Sequence, residues 1–296
     1  MKQLNFFLLI ATITLLSMGI TKAQDSIESD STGLPGDHFS LQGALEMFKK
    51  SSSPEDFEKM INSEDNHVNN LDLNADGDID YIKVIDKSDG DVHAFVLQVI
   101  VSETENQDIA VIEMEKTGKE SVTLQIIGDE DIYGEQTIVE PAEDKVMHSG
   151  ESMEPKKKGG PNGNFDAYFE DAIVINVWPW PCVRFVYGPV YRPWVSPVRW
   201  RVYPNWWKPW RPLGWRVFHP FRARYHSGFA VVKTHRVVRA HRIYTPVRVT
   251  SGSVKIRHSN SVHSYRVTKT KTKVTTGPRG NTKVKTTRTT TRVKKR

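Results

Sequence analysis

Hydrophobic positions along the chain change period near Val68 and lose any regular period beyond Trp178. Before Val68 the spacing is helical. Leu41, Ala44, Leu45 and Phe48 recur at intervals of three and four after Ser40, a residue able to accept from first-turn amides. A second start follows at Ser53-Pro54-Glu55-Asp56, with an N-cap, a proline at the first helical position and acids in the first turn. Phe57, Met60 and Ile61 form its apolar face. Beyond Val68 the period is two, which predicts strands at 81–86, 92–102, 109–116, 121–128 and 132–139. Ser88-Asp89-Gly90 and Thr117-Gly118-Lys119 are among the turns between them. Connections this short join antiparallel neighbours, because a parallel crossover takes about a dozen residues or more. The expected fold class is α+β: two short N-terminal helices on one face of an antiparallel meander sheet, over residues 38–141.

The remaining chain reads differently. Residues 142–164, with Lys156, Lys157, Lys158 and Gly159-Gly160-Pro161, have the composition of a linker. Residues 165–229 form a Trp/Pro/Arg-rich segment, and all eight tryptophans lie between Trp178 and Trp215. So many prolines exclude regular helix and central strand, which leaves extended chain with turns. Residues 230–296 are a basic, low-complexity tail without Leu or Phe. No independent core can form there, and the tail is expected to be largely disordered or weakly β, with a hairpin around Gly277-Pro278.

The N-terminus reads as a targeting segment. Lys2 precedes an uncharged run over residues 6–20, and Thr21-Lys22-Ala23 presents small residues where a signal peptidase acts. A run of that length spans about 23 Å as a helix, short of the roughly 30 Å bilayer core. Residues 1–23 are therefore expected to be a signal peptide and 24–37 a flexible lead-in. No cysteine stands at the cleavage point, which argues against a lipoprotein. The expected destination is the periplasm, the outer-membrane surface or the medium. Cys182 is the only cysteine, so the fold has no internal disulfide, and its Trp180-Pro181-Cys182-Val183 setting suits a buried, inert thiol.

Charge divides the chain more sharply than the overall +6 suggests. All 35 Asp and Glu residues lie between Gln24 and Asp171, while 28 of the 41 Lys and Arg residues follow Asp171. Such asymmetry speaks to partners rather than to fold.

One stretch carries metal chemistry, Asp72-Leu73-Asn74-Ala75-Asp76-Gly77-Asp78-Ile79-Asp80. Oxygen side chains at positions 1, 3, 5 and 9, with glycine at 6, suit Ca²⁺, which takes six to eight oxygen ligands. Asp72, Asn74, Asp76 and Asp80 would ligate by side chain and Asp78 by its carbonyl. The loop resembles EF-hand and dockerin loops, but Lys83 stands where an EF-hand places its bidentate Glu. It is more similar to the FG-GAP-type loop of β-rich extracellular proteins, which ends at the ninth position and leads into a strand. That resemblance implies a calcium site at the weak extracellular end, about 10⁻⁴ to 10⁻³ M. The exported N-terminus, helix pair, this loop and the Gly128-Asp129-Glu130-Asp131 turn together resemble exported proteins of Bacteroidetes-type bacteria, a likeness that implies no activity.

The basic segment is the candidate partner site. Arg192, Trp194, Arg199, Trp200, Arg201, Trp206, Trp207, Lys208, Trp210, Arg211, Trp215 and Arg216 combine guanidinium groups, which pair with phosphate, with indoles, which settle at apolar–water boundaries. In composition the stretch resembles tryptophan- and proline-rich cationic peptides that bind anionic lipid. The expected partner is an anionic envelope polymer or lipid headgroup, lipopolysaccharide or acidic polysaccharide. Nucleic acid is an alternative, and so is docking on the chain's own acidic domain. No HExxH, P-loop, GxSxG or CxxC pattern occurs, so the chain is expected not to be an enzyme, a calcium-dependent hydrolase being the remaining catalytic alternative. His235 and His241, six apart in an arginine-rich stretch, are not expected to form a specific metal site.

Overall fold

The computed structural model describes residues 31–143, 174–268, 271–276 and 282–287. The expected signal peptide, residues 24–30 of the lead-in and residues 144–164 of the linker lie outside them.

Helix α1 (Leu41–Lys50) begins where Ser40 Oγ accepts the Gly43 amide at 3.0 Å. Helix α2 (Pro54–Ile61) begins where Ser53 Oγ accepts the Asp56 amide at 3.1 Å, with Pro54 at its first position. Both starts are those the sequence signals. Strands β1 (Ile82–Asp89), β2 (Val92–Ile100), β3 (Asn106–Gly118) and β4 (Ser121–Gly128) then form a meander. A single helical turn, α3 (Glu130–Tyr133), separates β4 from β5 (Thr137–Pro141). The alternation predicts a fifth strand already at 132, and the structure corrects this. Asp129 caps α3 by accepting the Asp131 amide at 2.9 Å, and Gly134, at φ +77°, ends it. The turn carries Tyr133 into the core between Gly36 and Gly128, where an added β-carbon would lie 2.5 and 2.6 Å from its ring.

After β5 the chain returns through α4 (Pro181–Val186) and α5 (Trp215–Ala223) to β6 (Phe229–Val232). The sheet runs β1-β2-β3-β4-β5-β6, every pair antiparallel, so its sixth strand comes from the basic half. Helix α6 (Val238–Tyr244) and the 17-residue helix α7 (Gly252–Thr268) follow, then the paired strands β7 (Lys271–Thr276) and β8 (Thr282–Thr287). The terminal hairpin is the weakly β element read from the alternation, whereas α6 and α7 have no counterpart in that reading. Ser251 Oγ accepts the Val254 amide at 3.2 Å at the start of α7.

Prolines keep 187–214 free of α-helix, as expected. They do not prevent the short helices on either side. Pro181 occupies the first turn of α4, where its missing N–H costs nothing. Pro220 lies inside α5, a helix whose Phe218 is buried in the core.

Both faces of the sheet are covered, and the basic half contributes to each. On one face Val84, Phe95, Leu97, Ile112, Leu124 and Ile126 pack with Phe48, Phe57 and Ile61 of α1 and α2 and with Cys182, Val183 and Val186 of α4. On the other face Ala94, Val96, Val111, Ile127 and Ile138 pack with Tyr244 of α6. The two N-terminal helices lie on a single face as expected, and the cover of the second face by α6 is an addition to that reading. The second face alternates small apolar residues with Glu113, Gln125 and Glu140, a pattern that reads as solvent-facing. The basic half supplies partners for those polar groups, so the face is buried. Among the described residues no helix is long and apolar enough to cross a membrane.

Candidate functional site

Residues 72–80 lead into β1 and are closed at their base. Leu71, Leu73 and Ile79 are buried, the Asp80 amide donates to the Leu71 carbonyl at 2.8 Å, and the Leu73 amide donates to Asp80 Oδ2 at 2.5 Å. Within this closure the side-chain oxygens organise the loop's own backbone. Asp72 accepts the Asp76 and Gly77 amides at 3.1 and 3.0 Å, Asn74 Oδ1 accepts the Asp76 amide at 2.8 Å, and Asp76 accepts the Asp78 amide at 3.0 Å. The turn requires positive φ at Ala75 (61°) and Gly77 (88°), and only glycine takes such angles without strain.

Asp72, Asn74, Asp76 and Asp80 are thereby gathered into one turn. Asp80 is 5% exposed, and its carboxyl is pushed up to about 7, first by burial and further by the neighbouring charges of Asp72 and Asp76. Asp78 is exposed. Oxygen donors that repel one another in this way suit a hard divalent cation. The basic half reaches the same loop: the Ile79 amide donates to the Trp210 carbonyl at 2.8 Å, and the Arg257 guanidinium donates to the Leu73 carbonyl.

The twelve candidate partner residues separate by type. Arg192, Arg199, Arg201, Lys208, Arg211 and Arg216 are all exposed. Most of the indoles turn inward. Trp207 is 5% exposed and meets the Tyr81 ring edge-on at 5.1 Å, with Trp210 at 6.2 Å beyond it. Trp194 donates its Nε1–H to Glu58 Oε2 at 3.1 Å, and Trp200 packs in the Trp207 cluster. Trp215 lies under the Arg222 guanidinium at 4.9 Å. Trp206, 47% exposed, is the one tryptophan of the set on the surface, with Lys59 5.8 Å from its ring.

The segment is held to the open edge of β1 by backbone pairing. The Asp86 amide donates to the Trp194 carbonyl at 2.7 Å and the Ser196 amide to the Val84 carbonyl at 3.1 Å. Beneath that edge, Glu58 on α2 is 4% exposed and accepts four bonds, from Tyr81 Oη, Ser196 Oγ, the Val84 amide and Trp194 Nε1. Burial raises its pKa, and the bonds from Ser196, Val84, Trp194 and Tyr81 oppose that rise.

On the second face and at its rim, the buried acids of the first half meet groups from the basic half. Arg236 Nε lies 3.1 Å from Glu140 Oε2, and Arg248 donates to Asp129 at 2.5 and 2.8 Å and to Asp131 at 3.0 Å. Asp108 accepts the Val249 amide at 2.8 Å and the Tyr244 hydroxyl at 3.2 Å. Glu113 receives His235 and His241. The sequence offered the histidines but gave no sign of Glu113, which lies over 120 residues away and alternates like any outward strand residue. Cys182 is buried and its thiol is pushed up to about 12 by burial, as its apolar setting implies.

No protein-family model matches the chain, and no curated protein or solved structure is significantly similar to it.

Proposed function

We propose that the protein is a non-enzymatic exported envelope or surface protein that binds an anionic polymer through the outward cations of residues 192–216. The observation that carries this reading is the division of labour within the segment: six Lys and Arg side chains exposed, most of the indoles spent on packing. Polyanion attraction needs the first group, whereas insertion of many tryptophans into lipid would need the second to be free. A lipopolysaccharide phosphate cluster or an acidic polysaccharide fits this surface better than a bilayer interior. Nucleic acid would use the same cations, but stacking on bases would be confined largely to Trp206.

Neutralising Arg199, Arg201, Lys208 and Arg211 to Gln in the full mature chain should reduce the slope of log Kobs against log salt, for heparin or lipopolysaccharide, by about 3 to 4. Trp206→Ala should leave that slope unchanged. Equal slopes for the parent and the fourfold variant would reject the surface.

The same proposal assigns calcium to the loop at 72–80, with Asp72, Asn74, Asp76 and Asp80 ligating by side chain and Asp78 by its carbonyl. Its support is that four oxygen-bearing side chains fall in one nine-residue turn whose own amides they order. Calcium at tenfold over Kd should stabilise the protein by about 1.4 kcal/mol, which is about 3 to 6 °C in Tm for a chain of this size. Asp76→Ala should abolish the increment. A melting curve indifferent to millimolar calcium would remove the assignment.

A further inference from the structure

We propose that Glu113, His235 and His241 form a second metal site, selective for a divalent transition ion of the zinc type rather than for calcium. The site is assembled from both halves of the chain. Glu113 projects from β3 and is fully buried, in register with Ala94 on β2 and Gln125 on β4. His235 precedes α6 and His241 lies on it. Their Nε2 and Nδ1 atoms approach the two carboxylate oxygens separately, at 2.6 Å to Oε2 and 2.8 Å to Oε1. The rings stand edge-to-face with centroids 4.5 Å apart, and one ligand atom from each residue lies within 4.8 Å of the other two.

This is a ligand set with a chemical preference. Two imidazoles and one carboxylate make a zinc set that leaves a fourth position to water. At zinc bond lengths near 2.05 Å, tetrahedral ligand atoms stand about 3.3 Å apart. The contacts at 2.6 and 2.8 Å need to open by about 0.7 and 0.5 Å to admit an ion. The histidine side chains are 22% and 27% exposed, so the open position faces solvent. Imidazole is a poor ligand for calcium, which separates this centre from the oxygen-only loop at 72–80.

The surroundings fix the ligands in place. Gln125 holds the backbone beside His235 from two directions: its Nε2 donates to the Thr234 carbonyl at 2.9 Å and its Oε1 accepts the Arg236 amide at 2.7 Å. Glu115 Oε1 accepts the Arg239 and Ala240 amides at the start of α6, and so sets the turn that carries His241. The neighbouring arginines do not occupy the centre. Arg236 pairs with Glu140, and Arg239 and Arg242 are exposed. A bound ion would join β3 to α6 and the loop before it, and so clasp the basic half to the sheet.

The test uses the full mature chain stripped with chelator, with Zn²⁺ and Co²⁺ as probes. Calorimetry should give one tight site for Zn²⁺, and Co²⁺ should develop the visible absorption of tetrahedral N/O coordination. Both signals should be lost in the double variant His235→Gln/His241→Gln and kept in Asp76→Ala, which alters only the calcium loop. Glu113→Gln should weaken Zn²⁺ at least tenfold. If burial of Gln there prevents folding, the histidine variant, altered at half-exposed positions, still decides the matter. Failure of the parent to take up either ion at micromolar concentration would overturn the proposal. So would undiminished uptake by the histidine double variant. Neither result bears on polyanion binding by residues 192–216.

Discussion

A chain ending at residue 143 should fail to reach the native fold, although it contains α1, α2 and five of the six strands of the sheet. Val177, Cys182, Val183 and Val186 belong to the same apolar cluster as Phe48, Phe57 and Phe95. Phe218, Phe229 and Tyr244 are likewise buried, at 1%, 3% and 5% exposure. Each large apolar side chain of this kind stabilises by about 1.5 to 3 kcal/mol when buried. Losing them together removes roughly 10 kcal/mol or more, comparable to the entire stability of an ordinary domain. The truncated chain would also leave Glu113, Glu140, Asp108 and Asp129 without the basic-half groups that now meet them. The expected result is a collapsed or unfolded species with little near-UV dichroism, poor amide dispersion and no cooperative thermal transition. A fragment 24–143 that melts cooperatively with a dispersed spectrum would show that the acidic half suffices. The basic half would then be an accessory to the fold.

The same dependence explains what was legible in the sequence. Local signals suffice where the deciding physics is local. Ser40 and Ser53 cap the helices they precede, and the period-two run from residue 81 forms a meander with turns close to where Gly and Asp cluster. The misread elements depend on residues far away in sequence. Ile132 continues a strand-like alternation, yet the Asp129 cap and the space left by Gly36 and Gly128 draw the chain into a helical turn around Tyr133. Strand β6 is four residues long, too short to signal itself, and exists because β5 offers an edge. Glu113, Gln125 and Glu140 look like an outward face until His235, Arg236 and His241 arrive from over 95 residues away. The turn at 72–80 is legible because its oxygen side chains lie within nine residues, and the Glu113, His235 and His241 cluster is not because its members are scattered.

The charge asymmetry follows the same logic at larger scale. Sequence alone left two uses for the cations, an external polyanion or the acidic half. The structure divides them by position. Arg236 and Arg248 are committed to Glu140 and to Asp129 and Asp131, while the cations of 192–216 face solvent. Salt should therefore act unevenly. Exposed charges are screened beyond about 8 Å at physiological ionic strength, whereas the half-buried pairs feel screening much less.

Glu58→Ala should be the most damaging single substitution. The carboxylate links α2 to β1 and to the tryptophan-rich segment at once, accepting Tyr81 Oη at 2.9 Å, Ser196 Oγ at 2.7 Å, the Val84 amide at 2.9 Å and Trp194 Nε1 at 3.1 Å. Removing it orphans four donors, three of them in bonds that are fully buried. A buried donor left without an acceptor costs about 1 to 3 kcal/mol. Water reaching the cleft formed with Ser53, Asp56 and Trp206 will rescue some of them. The net loss should be about 4 kcal/mol, or about 8 to 16 °C in Tm. Glu58→Gln keeps one oxygen and the volume, and should fall between. pH adds a signature. Because burial raises the Glu58 carboxyl above its ordinary 4.5, the folded state holds the proton more tightly than the unfolded state. The stability so gained is complete below pH 4.5 and is lost as pH rises through the folded value. The gap between parent and Glu58→Ala should therefore be widest in acid and narrow toward neutrality. Urea denaturation of both proteins across that range measures it. A loss below about 1 kcal/mol at every pH, the scale of one ordinary hydrogen bond, would mean that the four donors find other acceptors and that Glu58 does not hold the segment to the sheet.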